Sequence, residues 1–241
     1  MTLRGVLFDL DGTLADTASA EQRAWPALAA VIRRHAPGVD EAELRTRYYR
    51  VFERHWTDFL EGRIDFGTYR RNRLGEALEP WREVDDQLFE AYRAEKRRGV
   101  ERLLLFDDAV AAIHEVRGRG LKVGLLTNGP SGLQRHKLAV IGLEPELDAV
   151  AISGEIGAAK PEPEAFHIAA RMIGCGAGEV AMVGDSPEYD IAGAIGAGLA
   201  AAVLVTRGLD VTAAGATVVE TLAELPAALG FGPDRFGPDR G

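Results

Sequence analysis

The chain has 241 residues, 46% hydrophobic and 27% charged, with a formal net charge of −9. That length supports a full core in one large or two small domains, and the acidic balance excludes a nucleic-acid partner. With a single cysteine, Cys175, no internal disulfide or Cys-built zinc cage is expected, and no apolar run is long enough to form a membrane span.

Residues 3–8 predict a short buried strand, ended by Asp9-Leu-Asp11-Gly12-Thr13. Because this run breaks at Asp9, no secretory leader is expected, and with the cysteine usage a cytoplasmic location follows. From about 19 to 98 the apolar residues recur every three or four positions, at Trp25, Leu28, Ala29 and Ile32, then Tyr48, Val51 and Phe52. Helical stretches are expected over 41–61, 66–78 and 84–98, broken by Pro37-Gly38, Gly62 and Pro80. All three tryptophans and four of the five tyrosines fall here, and no strand-like run does, so 16–98 reads as an α-helical insert. The insert carries 16 basic and 16 acidic residues against 12 and 21 elsewhere, so the whole −9 lies outside it.

After Gly99 the rhythm alternates. Helices are predicted at 107–119, 131–141, 163–173, 188–197 and 221–229, and strands at 121–126, 149–153, 180–183, 200–205 and 217–219. The fold class that follows is α/β, a Rossmann-like parallel sheet sandwiched by helices. Its segments are 1–15 and 99–230, with 16–98 inserted. Phe-Gly-Pro-Asp-Arg occurs twice over 231–240, and 231–241 is expected to be a disordered tail.

In an open parallel sheet, ligands bind beyond the carboxyl ends of the strands. Four strands here end in polar groups: Asp9 and Asp11, Thr127-Asn128-Gly129, a loop with Lys160-Pro161, and Gly184-Asp185 with Asp190 five residues on. Alone, each reads as a cap, a turn or a solvated charge; at one edge they read as a site. Several carboxylates around one point repel each other and call for a cation, and ligation by oxygen alone favours Mg²⁺. Lys160 and the Thr127 hydroxyl suit a phosphoryl oxygen, no Gly-x-x-x-x-Gly-Lys-Ser/Thr loop is present, and a carboxylate nucleophile forms an aspartyl phosphate.

These motifs, in this order over almost the whole chain, resemble the haloacid dehalogenase-like hydrolase superfamily. The helical insert after the first motif is similar to the cap of the subgroup with phosphoglycolate phosphatase, pyrimidine nucleotidases and acylneuraminate-9-phosphatases. The resemblance implies a Mg²⁺-dependent phosphatase of small phosphate monoesters, a monomer or homodimer, with a cap that closes over the site. It makes Asp9 the nucleophile and Asp11 the general acid and base, with Thr13 and Asp190 as positioning residues. Thr127, Asn128 and Lys160 would bind the phosphoryl group, and Asp9, the backbone carbonyl of Asp11 and Asp185 would hold Mg²⁺. An Asp at position 11 disfavours a dehalogenase or a phosphonatase. A sugar phosphomutase of the same superfamily and a non-catalytic phosphometabolite-binding protein are the alternatives.

Several other residues are candidates for substrate contact or surface charge. Trp25, Tyr48, Tyr49, Phe52, Trp56 and Tyr69 would stack on a substrate or pack the insert. Arg23, Arg47, Arg50 and Arg54 would meet a second anionic group, with Arg50 and Arg54 on one helical face. Arg135-His136-Lys137 reads as surface charge, and Arg207-Gly208 as a loop bordering the site.

Overall fold

The computed structural model describes residues 2–231. The chain divides into two compact units, one made of the segment up to Asp16 together with the chain from Leu105 on, the other of Thr17–Leu104.

The first unit is built on a six-stranded sheet, in which every neighbouring pair is parallel. The strands are β1 (Gly5–Phe8), β2 (Lys122–Thr127), β3 (Ala149–Ile152), β4 (Val180–Gly184), β5 (Ala201–Val205) and β6 (Thr217–Val219), in the order β3-β2-β1-β4-β5-β6. β1 and β4 are buried at every position, as near-continuous apolar strands covered on both faces must be. Burying one such Val, Leu or Phe side chain stabilises the fold by about 1.5–3 kcal/mol. Leu7, Met182 and Leu204 from the sheet meet Phe166, Ala169 and Ile191 in one apolar cluster. The chain leaves β1 for β2 and β3 on one side, then crosses to β4 on the other. β1 and β4 therefore flank the topological switch point, where the crevice of an open sheet forms.

The second unit is entirely helical. It contains α1 (Thr17–His35), α2 (Glu41–Arg50), α3 (Phe52–Leu60), α4 (Phe66–Leu78) and α5 (Asp86–Val100). Asp40, Asp65 and Asp85 cap α2, α4 and α5, each accepting a backbone N–H at 2.8 Å; such caps contribute about 0.5–2 kcal/mol each. Trp25, Leu28 and Ile32 of α1 pack with Tyr48, Leu74, Leu88 and Tyr92. The aromatic residues are largely used for this packing: Trp25, Tyr48 and Tyr69 are buried, while Phe52 and Trp56 are partly covered.

Several elements depart from the sequence expectation. The helix expected over 41–61 breaks at Val51, the cap residue between α2 and α3. Arg50 and Arg54 therefore lie on different helices and do not share a face. Arg54 is paired with Glu76, and Arg47 donates to the carbonyls of Glu76 and Ala77. The helix expected at 188–197 is a wide π turn over Pro187–Ala192 that runs into a short α-helix, Gly193–Gly196. That over 221–229 starts as a 3₁₀ turn. Residues 232–241, nearly all of the expected tail, lie outside the described residues. Phe231 is ordered, its N–H donating to the Pro226 carbonyl at 2.8 Å and its ring 4.7 Å from the Arg119 guanidinium.

Candidate active site

The site is assembled at the carboxyl ends of β1, β2 and β4 from the first unit alone. Asp9 directly follows β1, and its N–H continues the ladder to the Val183 carbonyl of β4 at 2.9 Å. Its carboxylate is thereby fixed beside the end of β4, where Asp185 and then Asp190 emerge. One oxygen from each of Asp9, Asp185 and Asp190 lies within 4.8 Å of the others. Three carboxylates this close, with no His or Cys among them, form an oxygen-donor set that fits a hard divalent cation.

The backbone is shaped for this crowding. Gly12 has φ +86°, and a Cβ there would come within 2.1 Å of Asp185 Oδ2. Gly184 leaves room for Asp190 in the same way, since a Cβ would lie 2.3 Å from its carboxyl carbon. The loop after Asp9 closes on itself: the N–H groups of Leu14 and Ala15 both donate to the Leu10 carbonyl, and Gly12 N–H donates to Ala15.

Lys160 is buried between two of the acids. Its Nζ donates to Asp9 Oδ1 at 2.6 Å and to Asp190 Oδ1 at 2.5 Å. The two carboxylates hold its ammonium well above the usual lysine range although burial opposes this. Asp190 also accepts the Ser186 N–H at 3.0 Å. Burial pushes the Asp9 carboxyl well above the ordinary carboxylate range, Lys160 pulls it down, and Asp190, Asp185 and Asp11 push it further up. Asp185 is raised to about 7, mainly by burial and then by Asp190. Charge at this cluster is therefore in excess, and a bound cation would relieve it.

The second strand supplies the next group of residues. Thr127 ends β2 and is buried. Asn128 clamps the backbone of Lys160, its Nδ2 donating to the Lys160 carbonyl at 2.8 Å and its Oδ1 accepting the Lys160 N–H at 2.9 Å. The loop that follows β3 is thus tied to the end of β2, which aims the Lys160 side chain. The Lys160–Pro161 peptide is cis.

Asp11 stands apart from the carboxylate cluster. Both of its oxygens accept from Lys137 Nζ at 2.7 Å, and Oδ2 also accepts from Gln134 Nε2 at 3.0 Å. The same Gln134 nitrogen lies 2.6 Å from the Thr127 hydroxyl. Gln134 and Lys137 belong to α7 (Ser131–Ile141), the helix after β2; α6 (Ala109–Gly118) precedes that strand. Lys137 is thus a site residue, contrary to its reading as surface charge. Positions 134 and 137 are three apart and share a helix face, a spacing that was available in the sequence. What it lacked was the direction of that face, which depends on how α7 leaves β2.

The Thr13 hydroxyl is buried and makes no hydrogen bond among the described residues, so Thr13 positions no neighbour through its side-chain oxygen. Its contribution is through the backbone, because the Thr13 carbonyl accepts from Arg207 at 2.7 Å. Arg207, in the loop after β5, also pairs with Asp108 at 2.7 Å and lies over the Phe106 ring at 3.9 Å. It ties the loop after β1 to the start of α6.

The sequence matches the haloacid dehalogenase-like hydrolase family over residues 3–198. It is 30% identical to the N-acylneuraminate-9-phosphatase of Mus musculus over 240 residues, 94% of each chain. Over 146 residues, 59% of this chain and 57% of the relative, it is 42% identical to a phosphoserine phosphatase of Thermus thermophilus. Among solved structures it is similar to the HAD-hydrolase YfnB of Bacillus subtilis bound to magnesium. The TM-score is 0.78 at 26% identity, over 95% of this chain and all of that one. With a parallel sheet, an acid cluster at its switch point and a family match over most of its length, the chain belongs to the haloacid dehalogenase-like hydrolases and is an enzyme of that family.

Proposed function

We propose that the protein is a Mg²⁺-dependent phosphatase of small phosphate monoesters that works through an aspartyl phosphate on Asp9. The observation that carries this reading is the position of Asp9. It is buried at the switch point, 2.6 Å from the Lys160 ammonium, with the Asp185 and Asp190 carboxylates in the same cluster. The phosphatase names of the curated relatives support the reaction class, and a magnesium-bound structural relative supports the metal.

In this reading the residues take the roles that the family resemblance implies. Asp9 attacks phosphorus through a carboxylate oxygen, the P–O ester bond breaks, and Asp11 protonates the departing oxygen. Water then attacks the same phosphorus, Asp11 takes its proton, and the Asp9 carboxylate is restored. Lys160, the Thr127 hydroxyl and the Asn128 backbone stabilise charge on the transferring group. Asp9, Asp185 and the backbone carbonyl of Asp11 would hold Mg²⁺, with Asp190 orienting Lys160 and the Ser186 N–H. The ion would neutralise phosphoryl and carboxylate charge.

The test is inorganic phosphate release with and without Mg²⁺. The panel holds nucleoside monophosphates, phosphoglycolate, phosphoserine, sugar phosphates and an acylneuraminate 9-phosphate. Metal-dependent release is expected on at least one class. Asp9→Asn should lower it by at least about a thousandfold, as loss of a covalent nucleophile does, while circular dichroism and melting stay near wild type. Turnover by Asp9→Asn at the wild-type rate would overturn the assignment.

A further inference from the structure

We infer that Lys137 and Gln134 position Asp11 for proton transfer to the departing oxygen. The inference rests on the phosphatase reading above. Its basis is that Asp11 receives three side-chain donor contacts from one helix: two from Lys137, at 2.7 Å to each oxygen, and one from Gln134 at 3.0 Å. Long side chains on a helix lose rotamer freedom when they converge in this way, so the carboxylate they hold is fixed in direction. Both residues are shielded. Gln134 is 1% exposed, and the Lys137 side chain is 12% exposed.

The chemistry gives the clamp its purpose. In the first half-reaction the bond from Asp9 oxygen to phosphorus forms and the ester P–O bond breaks, its electron pair leaving with the alcohol oxygen. That oxygen takes the proton from Asp11, so negative charge grows on the Asp11 carboxylate as the proton departs. Lys137 and Gln134 are in contact with the atoms on which this charge grows, and charge-assisted contacts of this length are the strong ones. In the second half-reaction the bond from water oxygen to phosphorus forms, the bond to Asp9 breaks, and the water proton goes to Asp11.

Gln134 adds a link that Lys137 does not. Its single Nε2 lies against both Asp11 Oδ2 and the Thr127 hydroxyl, at 3.0 and 2.6 Å. The proton-transfer residue and the end of β2 are therefore held in register through one amide. Gly129, at φ +144°, lies close behind: a Cβ there would sit 3.1 Å from the Gln134 Cγ. The turn after Thr127 thus keeps the amide in place.

The experiment compares two esters in wild type and Lys137→Met, which keeps the stem and removes the ammonium. One is p-nitrophenyl phosphate, whose leaving group departs without a proton. The other is the alkyl ester from the panel above that wild type hydrolyses fastest. The expected result is a drop in the single-turnover rate of leaving-group release from the alkyl ester that exceeds any drop from the aryl ester by roughly 10–100-fold, part of the ~10²–10⁴-fold that general acid catalysis contributes. Equal losses on the two esters, or no loss on either, would overturn the inference while leaving the phosphatase reading in place. A wild type that releases no phosphate from either ester, with Mg²⁺ present, would instead overturn the phosphatase reading and the inference with it. Retained first-turnover release of nitrophenolate in the variant reports that fold and nucleophile are intact.

Discussion

At the scale of single residues, the acid cluster makes a prediction that needs no substrate. Asp185 titrates near 7 in the folded chain against an ordinary value of 3.8. Between about pH 4 and 7 the folded state therefore holds a proton that the unfolded chain has released. The linked stability is fully present below that window and is lost as pH rises through it, by up to about 4 kcal/mol. Asp9, raised by its own burial, acts with the same sign. The melting temperature of the metal-free protein should accordingly fall from pH 5.5 to 7.5. Mg²⁺ should raise it more at pH 7.5 than at 5.5, because a cation binds the deprotonated acids. Asp185→Asn should flatten the pH dependence and weaken the Mg²⁺ response. A Mg²⁺ effect equal at both pH values would contradict this account of the cluster.

The identity of these acids was legible in the chain, because Asp9, Asp185 and Asp190 each follow a buried apolar strand at a fixed offset. Lys160, read alone, was a solvated lysine. Its burial depends on the Asn128 clamp, a contact 32 residues away in sequence that no local pattern encodes. Lys137 was misread for a related reason. Its neighbours Arg135 and His136 gave it the look of a basic surface run, and Arg135 does pair outward with Glu144 and Glu155. Two residues' rotation about the helix separates the surface ion pairs of Arg135 from the Asp11 contact of Lys137.

At the scale of elements, the turn between β1 and Ala15 tolerates little change. Its glycine is required twice over, by a φ of +86° and by the approach of Asp185. Gly12→Ala should therefore move either the turn or the Asp185 carboxylate. Backbone strain of this kind costs about 1–3 kcal/mol, and a displacement near 1 Å can lower turnover about a hundredfold. Thermal melting and Mg²⁺-dependent phosphate release, measured on the same preparation, should both decline. Full activity in Gly12→Ala would show that the turn is not the constraint described. The other elements show where periodicity reaches its limit. The apolar spacing continues through Val51, so the sequence reads 41–61 as one helix, yet Val51 adopts φ −86°, ψ 2° and the chain turns there. Likewise the segment after β4 keeps a helical pattern but widens into a π turn over Pro187–Ala192, in which Asp190 sits buried. Hydrogen-bond register within a turn leaves no trace in apolar spacing.

At the scale of the whole molecule, two kinds of unit share one chain. The apolar run at 3–8 and the alternating rhythm after Gly99 gave each strand's place in the chain, though not its place in the sheet, because each buried parallel strand must be a short apolar run. The sheet then determines where ligands go: β1 and β4 lie side by side although the paired Gly5 and Val180 are 175 residues apart in sequence. The helical unit was legible as a class, from its aromatic content and three-and-four spacing. Its arginines were less so, since Arg47 and Arg54 are satisfied within the unit rather than left for a ligand. The acidic charge of the sheet-bearing segments fits the same division, because part of that charge is concentrated at the cluster that would hold the cation.

The central claim, an aspartyl phosphate on Asp9, is tested most directly in Asp11→Asn with p-nitrophenyl phosphate and Mg²⁺. The aryl group leaves without a proton, so the first half-reaction proceeds, while the hydrolysis that needs Asp11 as base is blocked. The account predicts a burst of about one nitrophenolate per active site, followed by slow release, with phosphate on Asp9 in the acid-quenched protein by peptide mass spectrometry. Steady turnover without a burst, or phosphate on another residue, would contradict it.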